Sequence, residues 1–352
     1  MTDRERGVDV LKTGQKACWD SAGGEIPCQG SGQDGEARAG LPIPRQRFRD
    51  NRDGTVGDRL TGLVWLADAN AFGQVTWMDA LANAARLAHG AHGLTDGSEA
   101  GDWRLPNVNE LQSLLDLDNR SGAALPADSP WKDLPPANYW SSTSVHAFPA
   151  LAWYQAFAVG PPVFDLKFNA MRMWPVRGES EVVPVTGQKH CYDPMGNTIP
   201  CGFTGQDGEL QAGRRWPSPR FTDNGDGTVT DHLTNLVWLK DGHPFGTVSW
   251  QQALDACAAL ESGQNGLTDG SRPGDWSLPN VNELRSLEDY GQARPALPAG
   301  HPFVNVRESL CWSSTTVASA PNLARFLFVG IGSCVWDHKG VVMGAWPVKR
   351  PR

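Results

Sequence analysis

The stretch that decides the fold is RFRDNRDGTVGDRLTGLVWL at Arg47–Leu66, because the chain repeats it as RFTDNGDGTVTDHLTNLVWL at Arg220–Leu239. A second motif follows each copy at the same distance, since GDWRLPNVNEL begins at Gly101 and GDWSLPNVNEL begins at Gly274. The copies of both motifs are 173 residues apart. A constant spacing of this kind indicates that one domain has been duplicated.

Two shorter motifs extend the duplication to the end of each copy, where Trp-Ser-Ser-Thr and then Trp-Pro-Val recur at a spacing of 172 residues. The length of 352 residues also fits two domains better than a single core. We therefore predict a first domain at residues 12–180, a linker at 181–185 and a second domain at 186–350. Each domain would begin with its own cysteine loop.

Composition excludes some classes of function. The net charge of −8 argues against a nucleic-acid-binding surface, and no apolar run is long enough to span a bilayer. The first residues, Met1–Arg6, are polar and lack the apolar core of a signal peptide. We therefore expect either a cytosolic protein or the mature form of a secreted one.

Each copy begins with two cysteines ten residues apart, Cys18 and Cys28 in the first and Cys191 and Cys201 in the second. Glycine and proline lie between them, so each pair can close a small loop. We expect two disulfides, because the spacing recurs and no histidine cluster accompanies it as a zinc site would require. Free thiols in a reducing compartment are the alternative.

An Asp-Gly motif follows the cysteines and superficially resembles a calcium-binding loop. The alternate positions after Asp223 are occupied by Gly225 and Gly227, so the ligand spacing of an EF-hand loop is not kept. We expect a turn between two strands and no cofactor. Calcium is the weaker alternative, and its candidate ligands are Asp50, Asp53, Asp58, Asp223, Asp226 and Asp231.

Two helices are predicted in each copy. Thr76 and Ser249 can cap the first helix of their copies, and Asn107 with Glu110 can form a capping box at the start of the second. The Asp-Trp-Arg-Leu-Pro-Asn motif invites a catalytic interpretation of Asp102 and Glu110, but capping or turn roles explain both residues.

The copies diverge between Trp-Ser-Ser-Thr and Trp-Pro-Val, where the sequence predicts strands. A fixed frame around altered side chains is typical of a scaffold that presents a variable surface, although drift in surface strands would look the same. Aromatic faces stack on sugars and nearby polar groups orient them. The candidate ligand-binding residues are Trp153, Tyr154, Phe164, Lys167, Arg325, Phe328, Trp336, Asp337, His338 and Lys339.

These motifs together resemble the Lcl C-terminal domain family, a former domain of unknown function found at the end of a bacterial collagen-like adhesin. The signature comprises Asp-Gly-Thr-Val-x-Asp, Asp-Trp-Arg-Leu-Pro-Asn-x-x-Glu-Leu, Trp-Ser-Ser-Thr and Trp-Pro-Val-Arg, and it covers both copies. The resemblance implies an α+β fold of two tandem C-type-lectin-like domains, each with two helices packed on short antiparallel strands. It also implies a surface-exposed or secreted protein and, from the adhesin, binding of sulfated glycosaminoglycans.

The chain departs from the family in two respects. It is acidic, although it has local arginine clusters that could pair with neighbouring carboxylates, at Arg45, Arg47, Arg49 and Arg52 and at Arg214, Arg215 and Arg220. Many relatives have a cysteine near the terminal strand, which this chain lacks. We expect Cys311 and Cys334 to pair across adjacent strands in the second copy only.

The function we expect is that of a non-catalytic, adhesin-like binding protein that is secreted, periplasmic or at the cell surface. Its ligand would be a surface glycan or a protein, bound through the diverged strands. One alternative is a structural subunit that self-associates or assembles into a cell-surface appendage. Another is an oxidoreductase of the formylglycine-generating type, for which only Cys311 and Cys334 could supply the reactive pair.

Overall fold

The computed structural model describes residues 8–351, apart from 121–123, 128, 132–133, 135–136, 159 and 307. Across the described residues no helix is both long and apolar enough to cross a membrane.

The chain forms short helices and many short strands. The helices are α1 (Asp34–Ala37), α2 (Trp77–Arg86), α3 (Val108–Ser113), α4 (Asp207–Leu210), α5 (Trp250–Ala259) and α6 (Val281–Arg285). The strands of the first half are β1 (Cys18–Trp19), β2 (Glu25–Ile26), β3 (Phe48–Asp50), β4 (Thr55–Asp58), β5 (Val64–Leu66), β6 (Gln74–Val75), β7 (Asn138–Ser144), β8 (Leu151–Ala156), β9 (Pro162–Leu166), β10 (Met171–Arg172) and β11 (Val176–Arg177). Those of the second half are β12 (Cys191–Tyr192), β13 (Thr198–Ile199), β14 (Phe221–Asp223), β15 (Thr228–Asp231), β16 (Leu236–Leu239), β17 (Leu310–Thr316), β18 (Leu323–Phe328), β19 (Ser333–His338) and β20 (Val348–Lys349). The predicted α+β class and the duplication are therefore confirmed.

The compact units of the structure differ from the domains drawn along the sequence. One unit, called here the first-repeat unit, contains Ile43–Arg215 together with Asp289–Gln292. The other, the second-repeat unit, contains the residues up to Pro42 together with Trp216–Glu288 and the residues from Ala293 onward. Each cysteine loop therefore belongs to the unit built from the other repeat, whereas the sequence boundaries assign it to the repeat that it precedes.

The first-repeat unit is built on two main sheets. One has the order β6-β10-β7-β8-β9, in which only the β10–β7 pair is parallel, and the other has the order β11-β5-β4-β3. Helix α2 packs its buried face against the larger sheet, where Trp77, Trp140, Ala152 and Met171 form one core cluster. The ribbon β12-β13 carries the second cysteine loop.

The second-repeat unit has the same plan. Its sheets have the orders β14-β15-β16-β20 and β17-β18-β19, and the ribbon β1-β2 carries the first cysteine loop. Trp250 of α5 packs with Trp312, Phe326 and Met343 in the equivalent core cluster. In both units the Asp-Gly motif joins two antiparallel strands, as predicted.

The predicted helix starts are confirmed. The side chains of Thr76 and Ser249 accept hydrogen bonds from the backbone three residues later, at the starts of α2 and α5. Asn107 and Asn280 form complete capping boxes at the starts of α3 and α6. Each unit also contains one helix that was not predicted, the four-residue α1 or α4 just after the cysteine loop.

The two predicted cysteine loops are confirmed as disulfides. The Cys18–Cys28 and Cys191–Cys201 bonds each have Cα atoms 5.2 Å apart, within the usual range for a cystine. Cys18 and Cys191 are fully buried. Each disulfide therefore holds together its two-stranded ribbon and the short loop that follows. Few other core residues stabilise this loop.

Candidate functional site

Three turns meet at one end of the first-repeat unit and form the surface that we call the first-repeat tip, residues 146–150, 166–170 and 193–197. The backbone amide of Lys167 donates to Ala150 O at 3.1 Å, which joins the first two turns. The third turn lies against the first so closely that a Cβ on Gly196 would be 2.9 Å from the backbone nitrogen of Ala150.

The first-repeat tip exposes large apolar side chains. Phe148, Leu166, Phe168 and Met195 are 46%, 47%, 57% and 70% exposed. Single exposed apolar residues are ordinary, but several on adjoining turns are typical of an interaction surface.

The second-repeat tip, residues 318–322, 338–342 and 20–24, is assembled in the same way. The backbone amide of Lys339 donates to Asn322 O at 3.1 Å, and a Cβ on Gly23 would lie 3.0 Å from the backbone nitrogen of Asn322. The residues equivalent to the four large apolar side chains are Ala320, His338, Gly340 and Ala22. Exposed apolar groups here are limited, among the described residues, to smaller ones such as Val341 and Val342.

A buried lysine holds each tip to its cysteine loop. The ammonium of Lys167 lies 4.1 Å from the ring centroid of Trp77 and donates to the carbonyl of Tyr192 at 3.4 Å. The ammonium of Lys339 lies 4.0 Å from the centroid of Trp250 and donates to the carbonyls of Trp19 and Asp20.

Burial lowers the pKa of both lysines to about 7, although the nearby Asp193 or Asp20 acts in the opposite direction. Each ammonium is enclosed by an aromatic ring and carbonyl oxygens, so it has a structural role. The two residues are equivalent in the repeat, as are Asp165 and Asp337, whose carboxylates each accept a bond from the next backbone amide. Lys167, Lys339 and Asp337 therefore belong to the shared frame, not to the diverged residues among which they were placed.

A buried aspartate fixes the helix after each cysteine loop to the strand bearing the Trp-Ser-Ser-Thr motif. Asp34 accepts hydrogen bonds from Thr13 and Thr315, both at 2.7 Å. Asp207 likewise accepts from Thr186 at 2.6 Å and Thr143 at 2.7 Å. Burial raises the pKa of each aspartate to about 6, against the effect of the threonine hydroxyls.

Two hydrogen bonds of a glutamine side chain reinforce this contact between the segment and the strand, which we call the buried junction. The side chain of Gln15 donates to the carbonyl of Thr316 at 2.8 Å and accepts from its amide at 3.0 Å. Gln188 does the same with Ser144. The two junctions are thus built from the same bonds.

Most of the predicted ligand-binding residues lie below the surface. Trp153, Lys167, Arg325 and Lys339 are buried, while His338 is exposed. The remaining candidates are half-buried, namely Tyr154, Phe164, Phe328, Trp336 and Asp337. Trp153 packs edge-to-face on Phe164 and Tyr290, so the expectation that it offers a face to a sugar is corrected.

The expected Cys311–Cys334 disulfide is absent, and both residues are buried free thiols. Cys311 pairs with Leu327 on β18, and the other side of Leu327 pairs with Cys334 on β19. Two strand spacings of ~4.8 Å place the cysteines roughly 10 Å apart, beyond the reach of a disulfide. Burial also raises the pKa of Cys311 to about 11, with Ser309 opposing, and that of Cys334 well above its ordinary value. The two cysteines are therefore not positioned as the reactive pair that the oxidoreductase alternative requires.

The candidate calcium ligands have structural partners. Asp58 forms a buried ion pair with Arg47, and Asp231 forms the equivalent pair with Arg220. The other four carboxylates, Asp50, Asp53, Asp223 and Asp226, accept bonds from backbone amides of their own turns. No group of three potential ligands that could hold a metal ion occurs within the described part of the chain.

The buried glutamate of each capping box is neutralised by arginine, but from different positions. In the first-repeat unit Arg104 donates two bonds of 2.6 Å to Glu110. In the second-repeat unit Ser277 takes the place of Arg104, and Arg350 donates two bonds of 2.7 Å to Glu283. Both carboxylates are fully buried, and the predicted capping role of Glu110 is confirmed.

Sequence reasoning missed the apolar side chains of the first-repeat tip. The signal was present, because comparing Phe148, Leu166 and Phe168 with their small or polar equivalents marks a change in surface chemistry. The divergence predicted for the strands extends into the turns and strand ends beside them, where these side chains lie. The buried Asp34 and Asp207 gave no sequence signal apart from their recurrence.

A model of the Lcl C-terminal domain matches residues 54–177 and 227–349, more than half of the chain, which confirms the resemblance drawn from the motifs. A comparison with curated proteins finds no match. The cysteine loops and the helices α1 and α4 lie outside the matched ranges.

Proposed function

Since the chain belongs to the Lcl C-terminal domain family, we propose that it is a non-catalytic, adhesin-like binding protein whose two tips contact different ligands. The observation that carries the proposal is the contrast between the tips. Both tips are built on an equivalent buried lysine and three equivalent turns, but their exposed side chains differ in size and polarity. A constant frame beneath altered surface residues suits a scaffold adapted to two partners.

Two observations support a location outside the cytoplasm and a function other than catalysis. The Cys18–Cys28 and Cys191–Cys201 disulfides are typical of proteins that fold in an oxidising compartment. The buried glutamates are occupied in capping and ion pairing. The relation to C-type lectins is part of this proposal and is supported by the two longer helices packed on sheets in each unit.

A glycan is the ligand class that we assign to the second-repeat tip. His338 is exposed at the end of the edge strand β19, and Trp336 is half-buried two residues before it. The amide of Asn322 lies 3.2 Å from Nδ1 of His338. An aromatic ring beside imidazole and amide groups offers both the stacking and the hydrogen bonding by which proteins bind sugars.

Replacing Trp336 and His338 with the residues of the other repeat, as Trp336→Phe with His338→Leu, is expected to weaken glycan binding at least about tenfold, a ratio equal to 1.4 kcal/mol. The fold should persist, because Phe164 and Leu166 occupy the equivalent positions in the first-repeat unit. A glycan array followed by titration of the strongest hit measures the effect. Equal binding by the wild type and the variant, or an array without hits, contradicts the assignment.

The apolar first-repeat tip favours a second candidate function, that of an assembly subunit that contacts protein. Four large apolar side chains on adjoining turns match a protein surface better than a sugar. Under this alternative the chain would join a larger cell-surface structure through the tip.

Grafting the second-repeat chemistry onto this tip is expected to abolish such contacts while preserving the fold. The variant carries Phe148→Ala, Leu166→His, Phe168→Gly and Met195→Ala, all taken from equivalent positions of the other unit. Sedimentation velocity at rising concentration, and binding to a panel of immobilised matrix proteins, measure association. The wild type should bind or associate more strongly than the graft, and identical behaviour of the two would rule out the tip as a protein contact.

A further inference from the structure

Each compact unit is completed by a separate segment of the chain that precedes the other repeat. Residues 8–42 complete the second-repeat unit, and residues 181–215 complete the first-repeat unit. Each segment has a disulfide, a two-stranded ribbon and a four-residue helix of its own. Each segment therefore has local structure of its own in addition to its contacts with the body.

The two docking sites accept their segments through equivalent bonds. The aspartate–threonine and glutamine–backbone bonds and the lysine–carbonyl contact described above occur in both. In addition, Asn282 donates to Leu11 O at 2.9 Å, and Asn109 donates to Pro184 O at 3.1 Å. Apart from the Thr13–Asp34 and Thr186–Asp207 bonds, which lie within the segments, each of these bonds joins a segment to a body. None of the joining bonds requires that the segment and the body come from one molecule.

The connection after the first segment is suited to exchange. It runs through Pro42, Ile43 and Pro44, of which Pro42 and Ile43 are exposed. Two prolines separated by one residue fix φ at alternate positions and favour extended backbone. An extended connection lets the segment reach away from its own chain, and exchange of identical elements between chains is an accessible route to dimers.

We propose that residues 8–42 also dock on the second-repeat unit of a second copy of this chain, so that two molecules exchange these segments reciprocally. The occupant of the docking site is the same segment in both arrangements, and all of its bonds are preserved. The segment lies outside the residues matched by the family model, whereas most of the body on which it docks lies within them. The balance between the closed monomer and the exchanged dimer depends on chain concentration.

Paired substitutions at the buried junction test the exchange with full-length chains. Asp34→Lys places a cation against Thr315, and Thr315→Glu places a second carboxylate against Asp34, so each variant alone damages its own junction. Mixing them allows exchange to restore a wild-type junction in one unit and to form a lysine–glutamate pair in the other. Native mass spectrometry should show the mixed dimer in at least about tenfold excess over either homodimer.

Two further measurements complete the test. Isotopically heavy and light wild-type chains, incubated together at high concentration, should yield dimers of intermediate mass. Ser21→Lys, an exposed substitution in the same segment, is the matched control and should dimerise like the wild type. If neither the paired variants nor the heavy and light chains give mixed dimers, or if the Asp34→Lys chain dimerises with itself as well as the mixture does, the proposal is overturned.

Discussion

Removal of residues 1–42 is expected to unfold the second-repeat unit while the first-repeat unit stays folded. The deletion removes Cys18 and Trp19 from the core of the second-repeat unit and takes away Asp34, to which the Thr315 hydroxyl donates. It also leaves the buried ammonium of Lys339 without the carbonyls to which it donates. Loss of one buried tryptophan alone costs about 3–5 kcal/mol, and the other contacts of the docked segment are lost with it, so the total approaches the stability of an ordinary domain.

Hydrogen exchange of the two Trp-Ser-Ser-Thr strands distinguishes the units. After the deletion, amides of residues 312–316 should exchange at the rate of an unfolded chain, whereas amides of 140–144 should keep their protection. The domain boundaries drawn along the sequence lead to the opposite result, because they assign the deleted loop to the first domain. Protection lost at 140–144 and kept at 312–316 would therefore refute the division into units described here. Ser21→Ala, which alters only an exposed turn, is the control and should leave both strands protected.

The sequence predicts local structure well because helix caps, turns and the duplication each depend on short motifs. Asn107 with Glu110 specifies the start of α3 through bonds made within four residues, and the cysteine loops close within eleven. The assignment of each cysteine loop to the unit built from the other repeat could not be predicted in the same way. Asp34 and Asp207 make equivalent bonds, so their motifs do not distinguish the two pairings, and sequence adjacency favours the pairing opposite to that of the compact units.

Several of the side chains that the sequence suggests for the site are buried, although Trp336 and His338 remain candidates. Strand alternation suggests that one face of β8 is exposed, but both faces are covered in the first-repeat unit. Tyr154 packs toward the α2 cluster, and Trp153 packs with Val108 of α3 on the other face. Alternation cannot identify an exposed face in a strand that is covered on both sides. The exposed and diverged side chains lie instead in the turns and at the strand ends.

The arginine that neutralises each buried glutamate provides a test of the equivalence of the two units. Arg350→Gly should destabilise the second-repeat unit by about 3–5 kcal/mol, because it leaves the fully buried carboxylate of Glu283 without its cation. Adding Ser277→Arg should restore most of that stability. In the other unit, Arg104 occupies the position equivalent to Ser277 and pairs with Glu110, the equivalent of Glu283. Urea denaturation of the wild type, both single variants and the double variant gives the coupling free energy between the two positions. Ser277→Arg alone should change stability little, because Glu283 already has a cation, and a double variant no more stable than Arg350→Gly would show that the two arginines are not interchangeable.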